Sequence, residues 1–189
     1  MIRINYPEKW FESYHWFITS SGNLVVAGKD VNGNEKVVKK HMSEKDIYIH
    51  ADLYGAPSTI LKVEKENTDL EKDILEAAQF AVSNSRAWSN NLASGSAYWV
   101  TPLQVSKTPE SGEFVRKGSW IVKGKRNYLF NLPLKLKIST VIFENTELPM
   151  IFEDFNEGLA FQMGKLKEID PQISQISLSL LNRIVFGLW

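Results

Sequence analysis

Asp46, Tyr48, His50 and Asp52 occupy alternate positions of one short stretch, Asp46-Ile47-Tyr48-Ile49-His50-Ala51-Asp52-Leu53-Tyr54-Gly55-Ala56-Pro57. On a strand these four share a face, while Ile47, Ile49 and Ala51 point to the other, apolar side. Same-face neighbours lie ~6.6 Å apart, so His50 and Asp52 reach hydrogen-bonding distance with a modest lean. Two chemistries fit such a row. In one, the carboxylates fix a histidine tautomer inside a buried polar network. In the other, His50 with Asp46 or Asp52 holds a ligand, or a divalent ion for a metal-dependent hydrolase. The chain has only three histidines (15, 41 and 50), none in a His-x-x-x-His spacing, and no cysteine. The expectation is therefore a structural network of Asp46, His50 and Asp52, with no catalytic residue, metal or cofactor.

A second chemistry-bearing stretch interleaves cations with aromatics: Lys107, Arg116, Lys117, Trp120, Lys123, Lys125, Arg126 and Tyr128. Neutralising phosphates and stacking bases needs that mixture. Charge supports a local rather than a global basic surface. Residues 105–137 hold 8 basic and 2 acidic groups, against 11 and 13 in residues 1–104 and 3 and 7 in residues 138–189. The whole-chain pI of about 6.8 argues against indiscriminate nucleic-acid binding. The bland alternative is that the cations are solvated at turns and that Trp120 and Tyr128 are core. Trp88, the single anchor in the Ser- and Asn-rich stretch 83–96, is a further stacking candidate beside Tyr128. Gly124, between Lys123 and Lys125, suits a bulge that gathers the neighbouring cations, or a close approach of backbone to phosphate.

The elements that must position these residues follow from period and punctuation. A strand near 15–20, the turn Ser21-Gly22-Asn23 and a return over 24–29 read as a hairpin. Asn34 is expected to cap a short helix ending at His41, with Lys39 and Lys40 at its C-terminal end. Thr68-Asp69-Leu70-Glu71 reads as a capping box, followed by a helix to about Val82 with Leu70, Ile74, Ala77, Ala78 and Ala81 on one face. Strands are expected over 96–106, from Ser119 on through Leu129, and over 134–143. Ile173, Ile176, Leu180, Leu181 and Ile184 recur at helical spacing, as in a terminal amphipathic helix packed on the sheet. Composition is that of a globular chain, 43% hydrophobic and 23% charged over 189 residues. No signal peptide and no apolar run of membrane-spanning length is visible, so cytoplasmic is the default location. There is no phosphate-binding loop and no Gly-x-Ser-x-Gly elbow.

Several stretches, in this order, resemble the NFACT-R domain of the NFACT proteins of ribosome-associated quality control. They begin with Lys9-Trp10-Phe11-Glu12, His15-Trp16-Phe17, Gly28-Lys29-Asp30 and Asn34-Glu35. The run Asp46 to Leu53 with Gly55-Ala56 follows, then Ser85-Arg86-Ala87-Trp88 and Ala97-Tyr98-Trp99-Val100. Gln104-Val105-Ser106-Lys107, Gly112-Glu113, Gly118-Ser119 and Gly124-Lys125-Arg126-Asn127-Tyr128-Leu129 complete the set. The likeness covers roughly residues 7–131 and is nearer the archaeal and eukaryotic versions than the bacterial ones. It implies an RNA-binding module. The family's N-terminal domain, helix–hairpin–helix elements and coiled coil have no counterpart in this sequence, so their roles, including most tRNA recruitment, are not carried over.

Together these readings give an α+β fold in a single domain: a mixed, largely antiparallel sheet with a main helix near 68–83 and a C-terminal amphipathic helix. Residues 1–135 form the NFACT-R-like domain and residues 136–189 an extension packed on it. The expected function is non-catalytic binding of RNA (rRNA or tRNA) or of the large ribosomal subunit, with other NFACT modules as partners in trans and no membrane. The expected contacts are Lys107, Arg116, Lys117, Lys123, Lys125, Arg126, Tyr128 and Trp88. A protein–protein docking module without direct RNA contact is the alternative, ahead of the hydrolase.

Overall fold

The computed structural model describes residues 9–64, 69–109 and 114–134, together with the backbone of two strands, Lys137–Phe143 and Thr146–Phe152. In chain order the elements are β1 (His15–Ile18), β2 (Leu24–Ala27), α1 (Val31–Lys36), β3 (Ile47–Ala51), β4 (Thr59–Leu61), α2 (Leu70–Ser83), β5 (Ser94–Val100), β6 (Val105–Ser106), β7 (Ile121–Val122), β8 (Asn127–Pro133), β9 (Lys137–Phe143) and β10 (Thr146–Phe152). Six strands form one sheet in the order β1-β2-β4-β3-β5-β8, while β6–β7 and β9–β10 make two small ribbons. The architecture is α+β. Every described pairing is antiparallel, so the sheet is not mixed.

Alternation along the central strands explains why the sheet needs cover on both sides. Val25, Ala27, Ile47, Ile49, Ala51, Leu61 and Ala97 face α2 and join its buried Ile74, Ala77, Ala78 and Ala81. Val26, Tyr48, Ile60, Tyr98 and Val100 face the other way into a second core. Phe11 and Tyr14 close this core from the N-terminal stretch, and Val37 and Val38 from the turn after α1. The face expected to carry a polar row is thus largely apolar. Tyr48 is buried in it, with its hydroxyl 3.2 Å from Ser58 Oγ, and burial raises its pKa.

The helix boundaries correct two expected caps. Asp69 caps α2, its carboxylate accepting from Lys72 N–H at 3.2 Å, while Thr68 lies outside the described residues. α1 begins earlier than expected, because Asp30 caps it by accepting from Gly33 N–H at 2.6 Å. It then continues as a π-helical turn, Val37–His41. Asn34, released from capping, turns its side-chain oxygen to Ser58 N–H at 2.9 Å and so ties α1 to the start of β4. That tie needs a near approach of backbones: a Cβ on Gly28 would overlap both the backbone and the side chain of Asn34. Gly28→Ala must push α1 off the sheet. It is expected to destabilise by about 1–3 kcal/mol, typical of overpacking a filled site, and to lower the Tm by several degrees. A thermal melt superimposing on the parent's would show that α1 moves away freely.

Beyond α2, β5 starts at Ser94 and ends at Val100; the expected continuation to Ser106 is broken by a 3-10 turn, Pro102–Gln104, before β6. The expected strand through 119–129 is two strands in two different sheets. Pro133 is the last residue of β8. β9 and β10 pair with Thr146 opposite Phe143, and β10 lies near β1. The expected amphipathic helix over 172–188 falls outside the described residues.

Candidate nucleic-acid interface

Asp46 leaves the anticipated network. The register places Ile47 opposite Leu61, which sets Asp46 beside Lys62 on the neighbouring chain segment. Its carboxylate pairs with Lys62 Nζ at 2.6 Å and accepts from Ser43 N–H at 2.7 Å. His50 lies instead between aromatic rings, 6.4 Å from Tyr48 and 5.9 Å from Tyr98. Burial lowers its pKa; the backbone of Ala51 and Ala56 and the charge of Asp52 oppose that shift without reversing it. Asp52 acts on His50 through its charge, and no hydrogen bond joins the two among the described residues. The three residues therefore do not form one network. Nor do three or more His, Asp or Glu side chains gather at any metal-binding spacing among the described residues.

The basic segment divides into a structural and an open part. Lys107 is structural. Its ammonium pairs with Glu35 at 2.7 Å, donates to the carbonyl of Ser119 at 2.6 Å, and sits 4.4 Å over the Trp120 ring. Glu35 also pairs with Lys39 at 2.6 Å and accepts from Gly118 N–H at 2.9 Å. Burial alone would raise the Glu35 pKa, but the donors from Lys107, Lys39 and Gly118 outweigh it and bring it down to about 2. This knot moors the β6–β7 arm on α1. Arg116 and Lys117 ride on that arm with exposed side chains.

Lys123, Lys125 and Arg126 lie on a turn between β7 and β8, all exposed. Gly124 takes φ +77°, the left-handed region that glycine enters without strain. The side-chain amide of Gln104 donates to the carbonyls of both Lys123 and Lys125 at 2.8 Å, and Lys123 N–H donates back to the Gln104 carbonyl at 2.8 Å. The turn is fixed through its own backbone, which leaves the lysine side chains without a partner among the described residues. A pinned glycine turn, not a bulge at Gly124, gathers these cations.

A bulge does exist, further along. Ala97 pairs with Leu129 and Gly95 with Leu132, so β8 spends one residue more than β5 between these pairs. Asn131, with φ +57°, absorbs the excess. The consequence is a change of parity. Leu129 and Leu132, three apart, both reach the α2 core, while Tyr128 and Phe130 both stay on the opposite face. Tyr128 and Phe130 stack with planes 10° apart and centroids separated by 5.6 Å. Tyr128 lies 5.7 Å from Tyr98, and Tyr98 continues the row to His50. Arg126 lies 4.8 Å over the Tyr98 ring; its hydrogen bond to Tyr128 raises its pKa against the effect of burial, with the tyrosines and Asp52 adding to the rise.

The second core covers the Tyr48 end of this row, and the β8 end opens: Tyr98 is buried, Tyr128 is 39% exposed and Phe130 is 67% exposed. Of the expected contacts, the structure joins Arg126 to Tyr128 and puts Lys123 and Lys125 on the adjoining turn. It leaves out Trp88, whose indole N–H donates to the Ser83 carbonyl at 2.7 Å and holds the ring at the end of α2. Phe130 and Tyr98 are members that sequence reasoning missed. The signal for Phe130 was plain alternation: two residues after Tyr128 on the same strand, it shares the face of that ring.

The site is thus the end of an antiparallel sheet in an α+β domain, lined with rings and bordered by cations. The model of the NFACT protein RNA binding domain matches residues 13–124, and the chain belongs to that family. It is 40% identical over 142 residues to the archaeal Rqc2 homolog aRqcH of Methanocaldococcus jannaschii, covering 75% of this chain and 21% of that protein. It is 42% identical over 130 residues to the ribosome quality control complex subunit NEMF homolog of Drosophila melanogaster, covering 69% and 13%. The chain thus spans about a fifth or less of the length of these relatives. Among solved structures, the C-terminal part of the fibronectin/fibrinogen-binding protein of Streptococcus suis shares the fold, with a TM-score of 0.52 at 16% identity over 70% of this chain and 48% of that one. No helix among the described residues is long and apolar enough to cross a membrane.

Proposed function

We propose that this chain is a non-catalytic RNA-binding module of ribosome-associated quality control, acting in the cytoplasm on RNA displayed by the large ribosomal subunit or on tRNA. Other NFACT modules would be its partners in trans. The observation that carries this reading is the Gln104-pinned turn: three exposed cations at the border of an aromatic sheet end, in a member of an RNA-binding family. The stretch 114–134 around it contains five Lys or Arg and no Asp or Glu. Three phosphate contacts on single-stranded RNA correspond to a log–log salt slope near about −2, from roughly −0.7 per contact.

Changing Lys123, Lys125 and Arg126 together to Glu is expected to abolish measurable RNA binding, with the fold retained because all three side chains are exposed. Filter binding or anisotropy across a salt series reads this directly. A second reading has its own observation: Leu103 and Phe114 are 89% and 87% exposed, apolar side chains each suited to protein contact. If the triple variant still cosediments with large subunits like the parent, docking through protein replaces the RNA reading.

A further inference from the structure

We infer that the open end of the sheet face selects unpaired bases, with Phe130 and Tyr128 as the stacking platform and Arg126, Lys123 and Lys125 holding the flanking phosphates of single-stranded RNA. This rests on the RNA-binding reading and narrows it. Phe130 is two-thirds exposed although it is a large apolar ring on a strand; alternation sets it on the face of Tyr128, and the bulge that follows, with Asn131 at φ +57°, turns Leu132 into the α2 core so that the row of rings ends on Phe130. A non-glycine residue in that conformation is uncommon, and bulges recur beside sites because they re-aim side chains. The pair is also pre-stacked. A base sandwiched between the two rings would need about 7 Å, twice a van der Waals contact. The observed 5.6 Å closes that slot and leaves the outward side of the pair as the stacking surface.

Charge decides what occupies it. Lys123, Lys125 and Arg126 set three cations against one carboxylate, that of Asp52, which acts on Arg126, and so favour a polyanion. An A-form duplex keeps its base faces stacked inside and offers phosphates and 2′-hydroxyls, so rings would add nothing to its binding. A single strand offers a π-face at every base, and stacking tolerates any sequence. The platform should therefore prefer unpaired RNA with little regard to base identity.

The test uses the full chain, an unstructured labelled RNA 10-mer, and the same strand annealed to its complement. The parent is expected to bind the single strand about tenfold more tightly than the duplex. Phe130→Leu should erase most of that difference and leave duplex binding and the salt slope alone, because stacking on one ring is worth about tenfold or more. Phe130→Trp should keep the preference, and its fluorescence should be quenched by the single strand and not by the duplex. Equal binding of both RNAs by the parent, or parental single-strand affinity in Phe130→Leu, overturns base stacking while the RNA-binding reading stands. If the parent binds neither RNA, the underlying reading itself fails and takes this one with it.

Discussion

Asp46→Ala is expected to lower the stability of the fold by about 3–5 kcal/mol, as breaking one side of a buried ion pair does. The Asp46 carboxylate is 1% exposed and the Lys62 side chain 12% exposed, with 2.6 Å between the charges. Removing Asp46 leaves the Lys62 ammonium with the His41 carbonyl, at 2.8 Å, as its remaining described partner. It also orphans Ser43 N–H. At roughly 2–4 °C per kcal/mol for a chain of this size, the Tm should fall by on the order of 10 °C. The double change Asp46→Ala with Lys62→Met should recover a good part of that loss, because an apolar side chain of similar length carries no desolvation cost. Urea unfolding of the three proteins decides the matter. A single variant as stable as the parent would mean that water reaches Lys62 and the pair contributes little.

That ion pair shows where the sequence was transparent and where it was not. The alternation over 46–52 identified a strand and its α2-facing side correctly, because a period of two depends only on neighbours. The role of the other face depended on what covers it. Phe11, Tyr14, Val37 and Val38 come from segments about 10 to 35 residues away, so a row that looked polar is mostly a second core. Lys62, the partner of Asp46, becomes visible only once Ile47 is set against Leu61. α2 was legible almost to the residue, since its apolar face is local and only its cap moved by one position. β8 was not. One extra residue at Phe130–Asn131 inverts the parity that alternation relies on, and the Gly124 turn is held by Gln104, some 20 residues earlier. The basic segment, read from the sequence as one stripe, divides into an engaged part and an open part. Which of its cations are already engaged could not be read from spacing, because Glu35, the residue that claims Lys107, lies 72 positions away.

Glu35→Gln is expected to loosen the β6–β7 arm and to remove a pH dependence that the parent shows. The Glu35 carboxyl has a folded pKa of about 2 against an ordinary 4.5. A carboxylate held below its unfolded value stabilises fully above that unfolded value, and the contribution fades as pH falls from about 4.5 towards 2. The full shift would correspond to about 3 kcal/mol at about 1.4 kcal/mol per unit. Lys39 is well exposed and Lys107 partly so, which reduces the expected effect to roughly 1–2 kcal/mol. The parent and Glu35→Gln should therefore differ most at neutral pH and converge near pH 2. The loss is local: the neutral amide offers one acceptor oxygen where the carboxylate offered two, and no charge to Lys107 and Lys39, so the arm carrying Arg116 and Lys117 should be cut earlier by trypsin than in the parent, while the six-stranded sheet resists. Because the Gln104 bonds to the 123–125 turn do not involve Glu35, affinity for single-stranded RNA should fall less than in the triple charge reversal. Stability curves for parent and variant that run parallel from pH 7 to pH 2 would show that Glu35 is solvated and that packing of Trp120 alone moors the arm.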